Sequence, residues 1–155
     1  MDDLQRLEDW AAPLLERMSA TERRGLARTI ARDLRRENAA NMRAQRGPDG
    51  AAWAPRKNKL RDERGRVRRK AQEQAMFVKL RSAKHLRTTA TATEAAVGFL
   101  GRAERIARVH HEGLRDRVQP DGPQYQYLAR PMLAITDQQA ERVRALILDH
   151  LNRDL

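Results

Sequence analysis

From Arg43 to Ala75 the chain carries only two residues of the Leu, Ile, Val and Phe group, Leu60 and Val67. A stretch of that length has almost nothing to bury, so any core must be assembled from the segments on either side of it. Charge makes the same division. Arg43 to Arg87 holds 15 basic and 4 acidic residues, whereas the rest of the 155-residue chain is balanced at 17 against 17. The net charge of +11 therefore resides in one interval. The flanks and the end of that interval carry the other 27 large aliphatic and Phe side chains, enough for an ordinary small domain. The chain reads as one domain over 1–155, interrupted by a basic extended or mobile arm at 46–71.

The flanks are periodic. Leu4, Leu7, Leu14, Leu15 and Met18 recur at three- and four-residue steps, with Trp10 and Ala11 on the same stripe, which predicts an amphipathic helix interrupted near Pro13. Ser19 followed by Glu22 has the spacing of a capping box. Leu26, Ile30 and Leu34 then carry a second helix to about Gln45, where Gly47-Pro48-Asp49-Gly50 ends it. After the arm, Gln72 to Arg81 predicts a short helix with Met76, Phe77 and Leu80 on one side. The period changes to two from Leu86 to Ala92 and again from Ala95 to Phe99, a β-hairpin turning near Thr93-Glu94. Ile106 to Leu114 fits a short helix or a strand equally, closed by Gly113, and Tyr125 and Tyr127 fit an edge strand. Thr136 to Gln139 repeats the capping pattern ahead of a helix bearing Val143, Leu146, Ile147 and Leu151. These elements predict an α+β fold: two N-terminal helices, a basic extended arm, a small antiparallel sheet and a C-terminal helix.

Several functions fall away. No apolar run approaches the roughly 18 residues of a membrane-spanning helix, and the Asp2-Asp3 start is unlike a secretory signal. Without cysteine there are no disulfides, thiol redox centres or Cys-based zinc sites, and an intracellular setting is expected. His110-His111-Glu112 lacks the i, i+4 spacing that puts two metal ligands on one helical face, so no metal is assigned. No nucleophile elbow, Walker loop or dinucleotide-binding glycine pattern occurs, so neither a catalytic site nor a cofactor is assigned. The arm is the strongest feature: Arg56 to Lys70 has nine basic residues in fifteen positions. Such a run suits polyanion binding, and it suits equally an arm that orders against a neighbouring acidic surface. Interleaved aromatics for base stacking are missing, which favours a protein partner over nucleic acid. A basic nucleic-acid-binding protein with a disordered Arg-rich arm stays open as the alternative. Trp53, the one large anchor in the arm, suits either docking on a partner or packing on its own domain.

Four strings occur in order: RAQRGPDGAAWAPRK from Arg43, FVKLRSAKHLR from Phe77, AVGFLGRAERIARVHHEGL from Ala96 and YLARPMLAIT from Tyr127. Together they resemble the phage virion morphogenesis family of tail completion proteins, nearly end to end. The matching positions are Gln45, Pro48, Asp49, Gly50, Trp53, Pro55 and Arg56, then Phe77, Lys79, Leu80 and Arg81. Val97, Gly98, Phe99, Ala107, His110, Gly113 and Leu114 follow, and Tyr127, Ala129, Arg130 and Leu133 close the set. Glu112 and Ala134 depart from the pattern, standing where a neutral residue and glycine are usual.

The resemblance implies a non-enzymatic structural protein that completes or caps the head-proximal end of a tail and enables head–tail joining. A looser likeness to neck and tail-terminator proteins implies a ring, often hexameric, that touches tail tube or sheath and neck or connector proteins, with no contact to membrane. Its basic arm would either bridge neighbouring subunits or face passing DNA. Its place would be the host cytoplasm during assembly and then the tail–head junction of the virion. For subunit or partner contact the candidates are Trp53, Arg56, Lys57, Arg61, Arg64, Arg66, Arg68, Arg69, Lys70, His110 and Arg130.

Overall fold

In the computed structural model, residues 3–56, 75–117 and 119–153 are described. Helix α1 spans Asp3–Leu15 and α2 spans Ala20–Arg43. Strands β1 (Leu86–Ala90) and β2 (Ala95–Phe99) form an antiparallel hairpin, followed by α3 (Arg102–Glu112). Short strands β3 (Arg115–Arg117) and β4 (Gln124–Gln126) form a second antiparallel pair, and α4 (Asp137–Arg153) closes the chain. The expected α+β class and the terminal helices are present, but the sheet is two separate hairpins rather than one.

Both capping boxes form. Glu22 N donates to Ser19 Oγ at 3.2 Å while Ser19 N donates to the Glu22 carboxylate at 2.6 Å. Thr136 and Gln139 repeat the exchange ahead of α4, at 3.3 and 3.2 Å. Helix α1, however, runs through Pro13 instead of breaking there. Proline removes one helical donor, a loss that packing can outweigh. Leu7 and Ala11 are buried, and Trp10, Leu14 and Leu15 lie against the same core on either side of the proline.

Two apolar clusters share α2 as their spine. The first joins α1, α2 and α4 through Leu7, Ala11, Leu26, Leu34, Val143 and Ile147. The second gathers Met42 from the far end of α2 with Trp53, Met76, Leu80, Leu86, Ala107 and Met132. Val97 on β2 packs against both. The tie between α2 and α4 is polar as well: Arg142 donates to both oxygens of Asp33, which is only 7% exposed, and Arg36 joins from the next turn.

The short helix expected over Gln72 to Arg81 does not form where it is described. Ala75 to His85 is a run of turns, with Arg81 N donating to Phe77 O at 3.2 Å and His85 N to Ser82 O at 3.0 Å. Phe77 at φ 60° is the reason, since a left-handed residue cannot sit in a right-handed helix. The ambiguous segment ending at Gly113 is helical. Gly113 adopts φ 69°, and a β-carbon there would lie 2.7 Å from Ala129 N, so both backbone and neighbour call for glycine.

Candidate functional site

The four strings that run through the sequence meet at one place, the base of the basic arm. Helix α2 stops on a Schellman turn, with Arg46 N donating to Asn41 O and Gln45 N to Met42 O, both at 3.1 Å. Gln45 holds the left-handed position at φ 57°, so the helix ends at Arg43, four residues before Gly47. Gly47-Pro48-Asp49-Gly50 is instead the tip of a tight loop. Gly50 N donates to Gly47 O, Ala51 N to an Asp49 carboxylate oxygen, and Arg46 bridges to Ala52. Trp53 N then donates to Gln45 O at 2.9 Å, which drops the indole into the second core.

The described residues on both sides of 57–74 are held. The Gln45 side-chain amide accepts from Met76 N at 2.6 Å and donates to Met76 O at 3.1 Å, joining the residues that precede the arm to those that follow it. Trp53 Nε1 donates to Pro131 O at 2.9 Å. Arg130 reaches back from the segment before α4, Nε to Ala54 O at 2.9 Å and Nη2 to Pro55 O at 3.2 Å. Backbone carbonyls, not side-chain carboxylates, are the partners of this arginine among the described residues. Gln45 and Phe77 are the only non-glycine residues with positive φ among those described, and both sit at this junction. Strain of that kind persists only where surrounding contacts over-determine it.

These contacts form a collar at the base of the arm, and a chain of rings runs through it and on to Tyr125. Trp53 meets Phe77 edge-on at 5.5 Å, Phe77 lies 4.8 Å from His110, His110 4.7 Å from Tyr127, and Tyr127 5.0 Å from Tyr125. Each pair is tilted or T-shaped, which suits the ring quadrupoles. Burial holds the His110 imidazole below its usual range, with repulsion from Arg130 adding, so it is neutral at pH 7. Its Nδ1 is buried and has no hydrogen-bond partner among the described residues. His111 does separate work, accepting from Met132 N at 3.0 Å. Among the described residues no group of His, Asp and Glu side chains could hold a metal ion.

Arg130 is 7% exposed. Burial also disfavours its charge, and Arg56 nearby adds to that. Among the described residues no carboxylate pairs with it, so the carbonyl dipoles of Ala54 and Pro55 offset the cost of its burial. What the arrangement can do mechanically is fix where a chain segment leaves the domain and where it returns.

The expected contact residues therefore divide. Trp53, Arg130 and half-buried His110 come together inside the fold and are in contact with their own domain. Arg56 is exposed at the mouth of the collar. Lys57, Arg61, Arg64, Arg66, Arg68, Arg69 and Lys70 lie outside the described residues. The arm as drawn from sequence began at 46, yet residues 46–56 are tied into the domain by the bonds above. Sequence reasoning missed the Gln45–Met76 clamp and the Asp33–Arg142 fork. Gln45 and Arg130 stood out only through the family resemblance, and nothing flagged Asp33.

The profile of the phage virion morphogenesis family matches residues 2–152. The chain is 36% identical over 155 residues to tail completion protein S of Escherichia phage P2, covering 99% of this chain and 100% of that protein. No solved structure matches the chain.

Proposed function

Because the chain belongs to the phage virion morphogenesis family, we propose that it is a structural, non-catalytic protein that completes the head-proximal end of a phage tail and enables head–tail joining. The observation that carries this reading is the end-to-end similarity to a tail completion protein, 36% identical over 99% of this chain. The protein self-associates as a ring, taken as hexameric, and meets tail tube or sheath proteins on one side and neck or connector proteins on the other. It works in the host cytoplasm during assembly and then at the tail–head junction.

In this reading the basic arm is the contact element, through Arg56, Lys57, Arg61, Arg64, Arg66, Arg68, Arg69 and Lys70. Trp53, His110 and Arg130 serve it from inside, by fixing the directions in which it leaves and returns. An arm held at both ends loses less entropy on docking than a free tail of the same length. DNA passing through the ring is a further contact for its guanidiniums.

Deleting Arg56 to Lys70 tests the proposal. The expected result is a folded protein, judged by circular dichroism and its thermal transition, that no longer supports intact particles. An unchanged yield of particles would overturn the arm's role. Light scattering on the full chain should show a discrete oligomer. A strict monomer that binds duplex DNA at low salt and releases it as salt rises would replace this reading with the nucleic-acid one.

A further inference from the structure

Outside the basic interval the chain is neutral, but its charges are not evenly spread. Arg24, Arg28 and Arg32 on α2 are exposed and recur every four residues, and Arg43, the first residue of the basic interval, lies on the same side. Arg24, Arg28 and Arg32 rise by about 6 Å at each step, and with Arg43, about 16 Å further on, they occupy an arc of about 100°. The carboxylates of α2, Glu22, Asp33 and Glu37, all fall outside the arc. Among the described residues none of these four arginines forms an ion pair.

Helix α1 shows the opposite sign. Glu8, Asp9 and Glu16 are exposed on one side, with Gln5 and Ala12 between them. Glu16 continues the helical turn just past Leu15, its N–H donating to Ala12 O at 3.1 Å. Glu8 and Glu16 form no ion pair among the described residues. They are eight residues apart, as are Arg24 and Arg32, so the two rows share a span of about 12 Å. Leu4, 41% exposed and one turn before Glu8, gives the acidic row an apolar edge. Among the described residues no ion pair joins α1 to α2, so the rows do not satisfy each other within one chain.

We propose that the arginine row of α2 in one copy docks on the acidic row of α1 in the next. This inference rests on the self-association proposed above and supplies its surface. Two different patches of one chain that complement each other make a heterologous contact, the kind that repeats head to tail and closes into a ring. A second copy is favoured over a nucleic acid because the matching row, of equal span and opposite sign, is in the same chain. Exposed ion pairs contribute little each; such rows act on orientation and encounter rate, and they are sensitive to salt.

Sedimentation velocity on the full-length protein tests this. Self-association of the wild type should weaken about tenfold or more between roughly 50 and 500 mM salt. Arg28→Glu with Arg32→Glu should weaken it comparably at low salt, and so should Glu8→Arg with Glu16→Arg. Combining all four reversals should restore it to within a few fold of wild type, a recovery that damage to the fold could not produce. Should a reversal variant unfold on melting, Arg28→Gln with Arg32→Gln replaces it and should give a smaller shift of the same sign. An oligomer indifferent to both reversals, or not rescued by their combination, overturns this interface and leaves the tail role standing. So does an arginine reversal that abolishes duplex DNA binding but not assembly. A wild type that stays monomeric throughout removes the ring itself.

Discussion

Gln45 occupies a left-handed position at φ 57° where a helix termination ordinarily has glycine. For a residue with a β-carbon that conformation costs about 1–2 kcal/mol. Its side chain offsets the cost by pairing with both backbone groups of Met76. Substitution separates the two effects. Gln45→Ala keeps the strain and loses the clamp, so it should destabilise the protein by about 2–3 kcal/mol in urea denaturation. Gln45→Gly loses the clamp but relieves the strain, so it should cost about 1 kcal/mol less. If alanine is no worse than glycine, the strain is not real. In the sequence Gln45 was visible as the end of a helix beside a glycine turn and as a position of the family resemblance, never as a clamp. Its partner lies 31 residues away, across the arm, and no local pattern reports that distance.

At the scale of elements, three of the four helices carry their limits in local chemistry: two capping boxes and the terminal Gly113. The failures are equally physical. Pro13 disfavours a helix interior, yet α1 continues because the residues on both sides of it bury against α2 and α4. Met76, Phe77 and Leu80 had helical spacing, but positive φ at Phe77 breaks the helix and points the segment back to Gln45. The α2–α4 tie through Asp33 has a consequence in pH. The hydrogen bond from Arg142 holds the Asp33 carboxyl below its usual range, with Arg36 helping and burial opposing. A carboxyl lowered in the folded state binds its proton more readily when unfolded. Its contribution is therefore complete above the unfolded value of about 3.9 and is lost as pH falls through the lower folded one. Asp33→Asn should be less stable than wild type at pH 7, by about 1–3 kcal/mol given that Arg142 is half exposed. The gap should narrow in titrations carried below about pH 4. A gap that stays constant to pH 2 would exclude the pair as its source.

At the scale of the whole molecule, two cores hang on one 24-residue helix. Leu26 and Leu34 serve the first and Met42 the second, while Val97 touches both. Such sharing predicts cooperative unfolding. Met42→Ala, at a fully buried site, should cost about 2–5 kcal/mol, and far- and near-ultraviolet dichroism should still report one coincident transition. Two separated transitions would mean that the cores are independent. The amino-acid sequence by itself determined where apolar periodicity lies, which ends are capped, and that the charge surplus sits in one interval, because these follow from near neighbours in the chain. Only the tertiary structure decided that Gln45, Trp53, Phe77, His110, Tyr127 and Arg130 form a single collar. The bonds that join them span 31 to 78 residues and depend on how α2, α3 and the segment before α4 pack against one another.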